Sequence, residues 1–208
     1  MRYALDHYER AEFEAAMLHA CLALDGSAKK LYPEVANNNR ERFERIIRDH
    51  LDVFGAFAAP GIDLEATRFP IRVEVGAKRV GLDAASILYK IHRCTHGHGD
   101  ELPNGFECLP PDGDKVTFTV NIDSGTVAMS TTAILGLIAV AVLCPPNHDQ
   151  EIPMTYSVWQ PLMADDGRRD RVVIPIHQWW GRLNDFRAIL QKFPRGKLTL
   201  EFRPEHFE

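Results

Sequence analysis

One arginine, three histidines and two glycines crowd into His92-Arg93-Cys94-Thr95-His96-Gly97-His98-Gly99, directly after the apolar run Ile87-Leu88-Tyr89-Lys90-Ile91. Arginine brings a permanent charge and a planar fork that matches a phosphate. Histidine changes protonation near neutral pH and can pass a proton. Metal-free cleavage of a phosphodiester needs both kinds of group. One offsets the charge on the five-coordinate phosphorus, and the other takes or gives the 2′-hydroxyl proton. The chain has no GxGxxG after a strand, no Walker A, no HExxH and no GxSxG. Its carboxylates fall mostly on solvated helix faces, with no spacing that suggests a paired acid/base site.

The rival chemistry in the same segment is a metal site made by His96, His98 and Asp100. Neighbours two apart on a helix point nearly opposite ways, so a His-x-His pair serves one metal only on an extended chain. Gly97 and Gly99 permit that extension, and His148-Asp149 is the nearest candidate to complete the set. No CxxC pair helps it, because Cys21, Cys94, Cys108 and Cys144 are scattered. Cys21 and Cys144 lie in apolar periodic segments and read as small core residues. The metal-free reading is therefore preferred, with no cofactor expected.

These groups must be carried by the elements around them. Residues 4–24 place Phe13, Met17, Ala20, Cys21 and Leu24 at helical spacing, and Gly26 is expected to close that helix. Asn37–Asn39 offers caps for a second helix over 40–57, with Phe43, Ile46, Ile47, His50, Leu51 and Phe54 on one face. A short strand or extended linker is expected at 71–75. A third helix starts near Leu82-Asp83 and runs into the histidine cluster, where Gly97 and Gly99 end it. Residues 115–121 and 126–130 flank Asp123-Ser124-Gly125 as a β-hairpin. Thr131 or Thr132 caps a fourth helix over 133–143, apolar nearly all round and so central. Beyond it come a strand at 154–160, a charged turn at 164–170, a helix over 176–193 and a closing strand at 197–202. Trp179 and Trp180 could stack bases, but at the start of an amphipathic helix they read first as core or interface residues.

The 208 residues suit a single domain, mainly α, with a helical core at about 5–145 and a C-terminal helix and β extension at about 146–208. A 45% hydrophobic content excludes global disorder, and a net charge of −5 excludes a broadly basic nucleic-acid binder. Met1–Arg10 is polar and charged, so no secretory signal is expected. The longest apolar run, 131–144, falls short of the ~20 residues that span a bilayer. The expectation is a soluble cytoplasmic protein without membrane contact.

Arg93-Cys94-Thr95-His96-Gly97-His98 resembles the R-x4–6-H signature of the HEPN ribonucleases. The spacing also occurs in Arg2/His7, Arg45/His50 and Arg171/His177, so context decides. Arg2/His7 is terminal, Arg45/His50 lies mid-helix with His50 in the buried stripe, and Arg171/His177 spans a β-branched run with Pro175. Around Arg93, the stretch Leu88-Tyr89-Lys90 is similar to the family's lead-in. Leu31-Tyr32-Pro33, Arg40-Glu41-Arg42-Phe43 and the apolar helix after the motif are similar too. The resemblance covers roughly residues 5–145. It implies a HEPN-like helical bundle with a small β-hairpin insertion and short C-terminal strands. It also implies a metal-independent endoribonuclease that leaves a 2′,3′-cyclic phosphate. Arg93 would stabilise phosphate charge, His98 would act as general acid/base and His96 would assist, with Cys94, Thr95, Tyr89 and Lys90 auxiliary. The family's motifs face each other across a homodimer cleft, and its members often act as toxins or phage-defence effectors, which implies RNA and an antitoxin or other protein as partners.

The chain departs from the family in one place: Asn, Asp or His commonly follows the arginine, and Cys94 stands here. Together with the acidic composition, that keeps open a non-catalytic HEPN-like module that binds a nucleotide or a protein. Five residues of ideal helix overshoot one turn by about 140°. Arg93 and His98 therefore meet only if Gly97 unwinds the last turn or if they come from two protomers. The blander roles are a cation on helix-end carbonyls for Arg93, an exposed side chain for His92, a polar loop for His96 and His98, and core packing for Tyr89. With so acidic a chain, any RNA footprint is expected to be small.

Overall fold

The computed structural model describes residues 1–35, 37–72, 80–93, 105–110, 116, 118–163, 169–192 and 198–207, with backbone alone for His92 and for 159–163 and 169–172. Helix α1 (Arg2–Glu9) and helix α2 (Phe13–Leu31) replace the single helix expected at 4–24. They divide at Ala11, whose φ of 58° is left-handed although it is not glycine. The Ala11 and Glu12 N–H groups donate to the Tyr8 and His7 carbonyls and close α1 there. Gly26 does not end α2. It faces open space, while its neighbours Ser27 and Ala28 are buried and carry the core stripe onward. Packing outweighs the roughly 1 kcal/mol that a mid-helix glycine costs.

Helix α3 (Asn39–Arg48) starts as the sequence predicts, with the Asn38 side chain accepting from the Glu41 N–H at 3.1 Å. The expected continuation to residue 57 is instead a separate helix, α4 (Leu51–Ala58). The break falls at Asp49-His50, where the buried His50 ring lies 2.8 Å from the Ile46 carbonyl through Nδ1. Strands β1 (Phe69–Ile71) and β2 (Val80–Leu82) pair antiparallel, with Phe69 opposite Leu82; part of the strand expected at 71–75 lies outside the described residues. Asp83 then caps the four-residue helix α5 (Ala84–Ile87) by accepting from the Ser86 N–H at 2.8 Å.

The expected hairpin is present as β4 (Phe118–Asn121) and β5 (Thr126–Ser130), and β3 (Cys108–Leu109) joins it in parallel. Helix α6 (Thr132–Leu143) has every residue buried. Thr131 occupies its cap position without a side-chain cap bond, whereas Thr132 donates from Oγ1 to the Phe57 carbonyl at 2.8 Å and ties α6 to α4. With twelve residues, α6 cannot cross a bilayer, and among the described residues no helix is long and apolar enough to do so.

Strands β6 (Ser157–Met163) and β7 (Arg169–Pro175) form an antiparallel ribbon, so the charged turn expected at 164–170 yields its last two residues to β7, and 164–168 lie outside the described residues. The helix expected at 176–193 is two, α7 (Ile176–Trp179) and α8 (Leu183–Lys192). Gly181 divides them at φ 73°, its N–H donating to the Val142 carbonyl at 2.9 Å. In place of a closing strand at 197–202 there is one bridge, Ile62 to Leu198. Val158, Ile174, Ile176 and Phe186 join the same buried cluster as α2, α4 and α6, so the C-terminal portion completes the core. Among the described residues the architecture is mainly α with three small sheets.

His50 gives this core a pH dependence. Burial is the main influence holding its pKa below the ordinary value, and the nearby Arg187 charge adds to it, against an opposing pull from the Ile46 carbonyl. The unfolded imidazole protonates near pH 6.5. Between that pH and the lower folded value the unfolded chain binds more protons, so stability falls as the pH drops through this window. Urea midpoints should decline from pH 7 toward pH 5, and His50→Asn should flatten that slope.

Candidate functional site

The segment that carries Arg93 is wound as a π-helix over Leu88–Arg93, directly after α5. Its i→i+5 bonding inserts about one residue per turn, which rotates the chain beyond it by about 100° relative to an α-helix. π-Turns inside helices occur often at functional sites. Leu88 and Ile91 anchor this one in the core. Tyr89 packs beside Phe43 of α3, ring centroids 5.7 Å apart, with the Arg40 guanidinium 6.0 Å from its ring. Lys90 is half-buried on the same turn.

At the end of the turn Arg93 reaches across to α2. Its Nη2 and Nε lie 3.0 and 3.1 Å from a single oxygen, Oδ2 of Asp25. The two side chains are 24% and 23% exposed, so the pair is largely withdrawn from water. Arg42 of α3 also acts on Asp25, and its own guanidinium is held by the Val35 carbonyl and the Asn39 side chain. Burial pushes the Asp25 carboxyl above the usual carboxylate range, and the two arginines pull it back. Arg93 of the π-turn thus pairs with a half-buried carboxylate of α2, on which the charge of Arg42 from α3 also acts.

The structure therefore places Arg93 with Asp25, and Tyr89 with α3. Cys94, Thr95, His96, His98 and Asp100 lie outside the described residues, as does the side chain of His92. Among the described residues no group of three His, Cys, Asp or Glu side chains is placed to hold a metal ion. Two of the other arginine–histidine spacings, Arg45/His50 and Arg2/His7, hold residues in the core or on the surface, and the Arg171 side chain lies outside the described residues. Arg45 pairs with Glu34 at 2.9 Å and lies 4.2 Å from the Tyr32 ring centroid, while His50 is buried. Arg2 is a surface residue 3.9 Å from Asp6. Trp179 sits edge-on to Phe186 at 6.3 Å, in line with the core reading. Cys21 and Cys144 are buried, and burial raises the Cys108 and Cys144 thiols to about 12 and about 11, which leaves them unreactive.

Asp25 is the residue that sequence reasoning missed. The available signal was a lone carboxylate beside the buried stripe Cys21, Leu24 and Ala28, just before an exposed glycine. A separate open cavity of about 550 Å³ lies between α4, α8 and the 60–65 loop, with the Arg187–Asp52 ion pair on its wall. None of the candidate site residues named from the sequence is among the residues that line it.

A model of the Rv1289 family matches residues 1–205. The uncharacterized protein Rv1289 of Mycobacterium tuberculosis (strain H37Rv) is 37% identical over 203 residues, covering 96% of this chain and 90% of its own. The uncharacterized protein Mb1320 of Mycobacterium bovis is similar to the same extent, 37% over 203 residues. No solved structure matches the chain at a significant level.

Proposed function

We propose that this chain, which belongs to the Rv1289 family, is a metal-independent endoribonuclease of the HEPN type. The observation that carries the reading is a half-buried arginine held on a π-turn at the sequence motif, its guanidinium fixed from a neighbouring helix by Asp25. A charge anchored in that way needs no reorganisation when a phosphate develops additional charge. The net charge of −5 also concentrates any RNA contact on such local cations rather than on a broad surface.

In this mechanism the 2′-hydroxyl attacks the adjacent phosphorus and the bond to the 5′-oxygen breaks. A base takes the 2′ proton and an acid protonates the leaving 5′-oxygen, giving a 2′,3′-cyclic phosphate and a 5′-hydroxyl. Arg93 offsets the charge on the phosphorane oxygens. His98 supplies acid/base chemistry with His96 assisting, and a homodimer sets two motifs across one cleft. A cytoplasmic toxin or defence role, restrained by a protein partner, fits this chemistry.

The test is cleavage of mixed-sequence RNA in excess EDTA, with end-group analysis of the fragments. Cyclic phosphate ends, and their loss in His98→Ala, are the expected result. Activity that vanishes on chelation would shift the assignment to a metal held by His96, His98 and Asp100. Nucleotide binding without cleavage would identify the non-catalytic module.

A further inference from the structure

We infer that Asp25 is a positioning residue that orients Arg93 toward a phosphodiester of bound RNA. The inference rests on the reading of Arg93 as the phosphate ligand. Both Nε and Nη2 of Arg93 converge on the one oxygen Oδ2, so Asp25 engages one edge of the guanidinium and fixes its plane. Arginine has long rotatable stems, and a carboxylate on one edge removes much of that freedom before a ligand arrives.

Burial works against the ionised Asp25, and its pKa is raised in spite of both arginines. A carboxylate kept under that strain beside a candidate phosphate ligand is the pattern found at sites that tune or orient a functional group. The neighbouring cation is itself locked: Arg42 is buried and tied to Val35 and Asn39 within α3 and the turn before it. Its fixed charge favours the ionised form of Asp25, and so keeps the Arg93 contact in place. Asp25 comes from α2 and Arg93 from the π-turn, so the packing of two elements sets the orientation of the guanidinium, with the Arg42 charge from α3 acting on the carboxylate.

The experiment measures affinity for a mixed-sequence 2′-O-methyl oligoribonucleotide, which binds but cannot be cleaved, at one fixed salt concentration. Wild type, Asp25→Asn, Asp25→Glu, Arg93→Ala and the Asp25→Asn/Arg93→Ala double variant are compared, with thermal unfolding as the check on folding. Removing a negative charge by itself tightens the binding of a polyanion. Positioning predicts the opposite sign: Asp25→Asn weakens binding about 3- to 10-fold, Asp25→Glu recovers most of the loss, and the double variant binds no worse than Arg93→Ala. Unchanged or tighter binding by Asp25→Asn overturns the inference. An equal loss in both backgrounds overturns it as well, because Asp25 would then act through the fold rather than through Arg93. Should wild type bind with the expected cycle yet leave the matching RNA intact, the ribonuclease reading falls and the Asp25 assignment stands. A wild type that fails to bind the oligonucleotide sinks both.

Discussion

Arg93→Ala is expected to lower RNA cleavage by at least about 100-fold, with stability changed by only about 1 kcal/mol. The activity loss stems from the role of the guanidinium in the proposed reaction. It is half-buried and paired with Asp25, so in the proposed reaction its charge would be oriented before the phosphorane oxygens form. Removing one preorganised charge of this kind typically costs ~10²–10³ in rate, or about 3–4 kcal/mol of transition-state stabilisation. The small stability change stems from position. Arg93 closes the π-turn, whereas the core anchors of that turn, Leu88 and Ile91, are untouched.

Arg93→Lys separates charge from geometry. A lysine keeps the charge but offers one compact ammonium, which cannot bridge Asp25 on one edge and a phosphate on another. It should therefore recover less than about a tenth of the lost rate. Single-turnover cleavage in EDTA reads both variants. Near-normal rates in Arg93→Ala would remove Arg93 from the mechanism, and full activity in Arg93→Lys would reduce its role to charge alone.

Arg93 could be singled out as a candidate from the sequence because one short segment and its context carry the motif. Asp25 could not, since 68 residues separate the pair and only the packing of the π-turn on α2 joins them. The same contrast runs through the fold. Helix α6 was legible because a segment apolar on every side has nowhere to go except the centre. The Asn38 cap and the hairpin turn at Asp123-Ser124-Gly125 were legible because each is a local chemical rule.

The helix breaks were not. Ala11 takes a left-handed φ without the glycine that usually announces one. Gly26 and Gly181 look alike in an amphipathic pattern, yet the first sits in open space within a helix and the second turns the chain against His148. The identity of a glycine says what conformations are permitted, and its neighbours in space decide which is used. The π-turn is a further case, because nothing in Leu88–Arg93 distinguishes five-residue bonding from four before the packing is known.

Gly136→Val should be the most damaging core substitution in this group, lowering stability by more than about 3 kcal/mol, while Gly136→Ala costs about 1–2 kcal/mol. Gly136 lies in the middle of α6 where that helix crosses α4. A Cβ there would stand 3.0 Å from Phe54 Cδ2, 3.1 Å from the Phe54 carbonyl oxygen and 3.3 Å from Phe57 Cβ. The ring can yield by a few tenths of an ångström, but the carbonyl belongs to a helix and cannot yield without moving α4. Propensity argues the other way, since alanine in a helix interior gains about 1 kcal/mol over glycine. For alanine the two effects are comparable and the clash is expected to win by a small margin. For valine the two added methyl groups meet the same carbonyl and ring with no room to rotate, and propensity offers little in return. Urea midpoints read the order wild type, alanine, valine. Phe54→Leu should soften the alanine penalty by withdrawing the nearest ring atom, giving a non-additive pair. A Gly136→Ala variant more stable than wild type would show that propensity decides this position and that α4 and α6 are not in the close contact described. The consequence extends to the site: α6 packs against α2 as well as α4, so a displaced α6 disturbs the helix that presents Asp25 to Arg93.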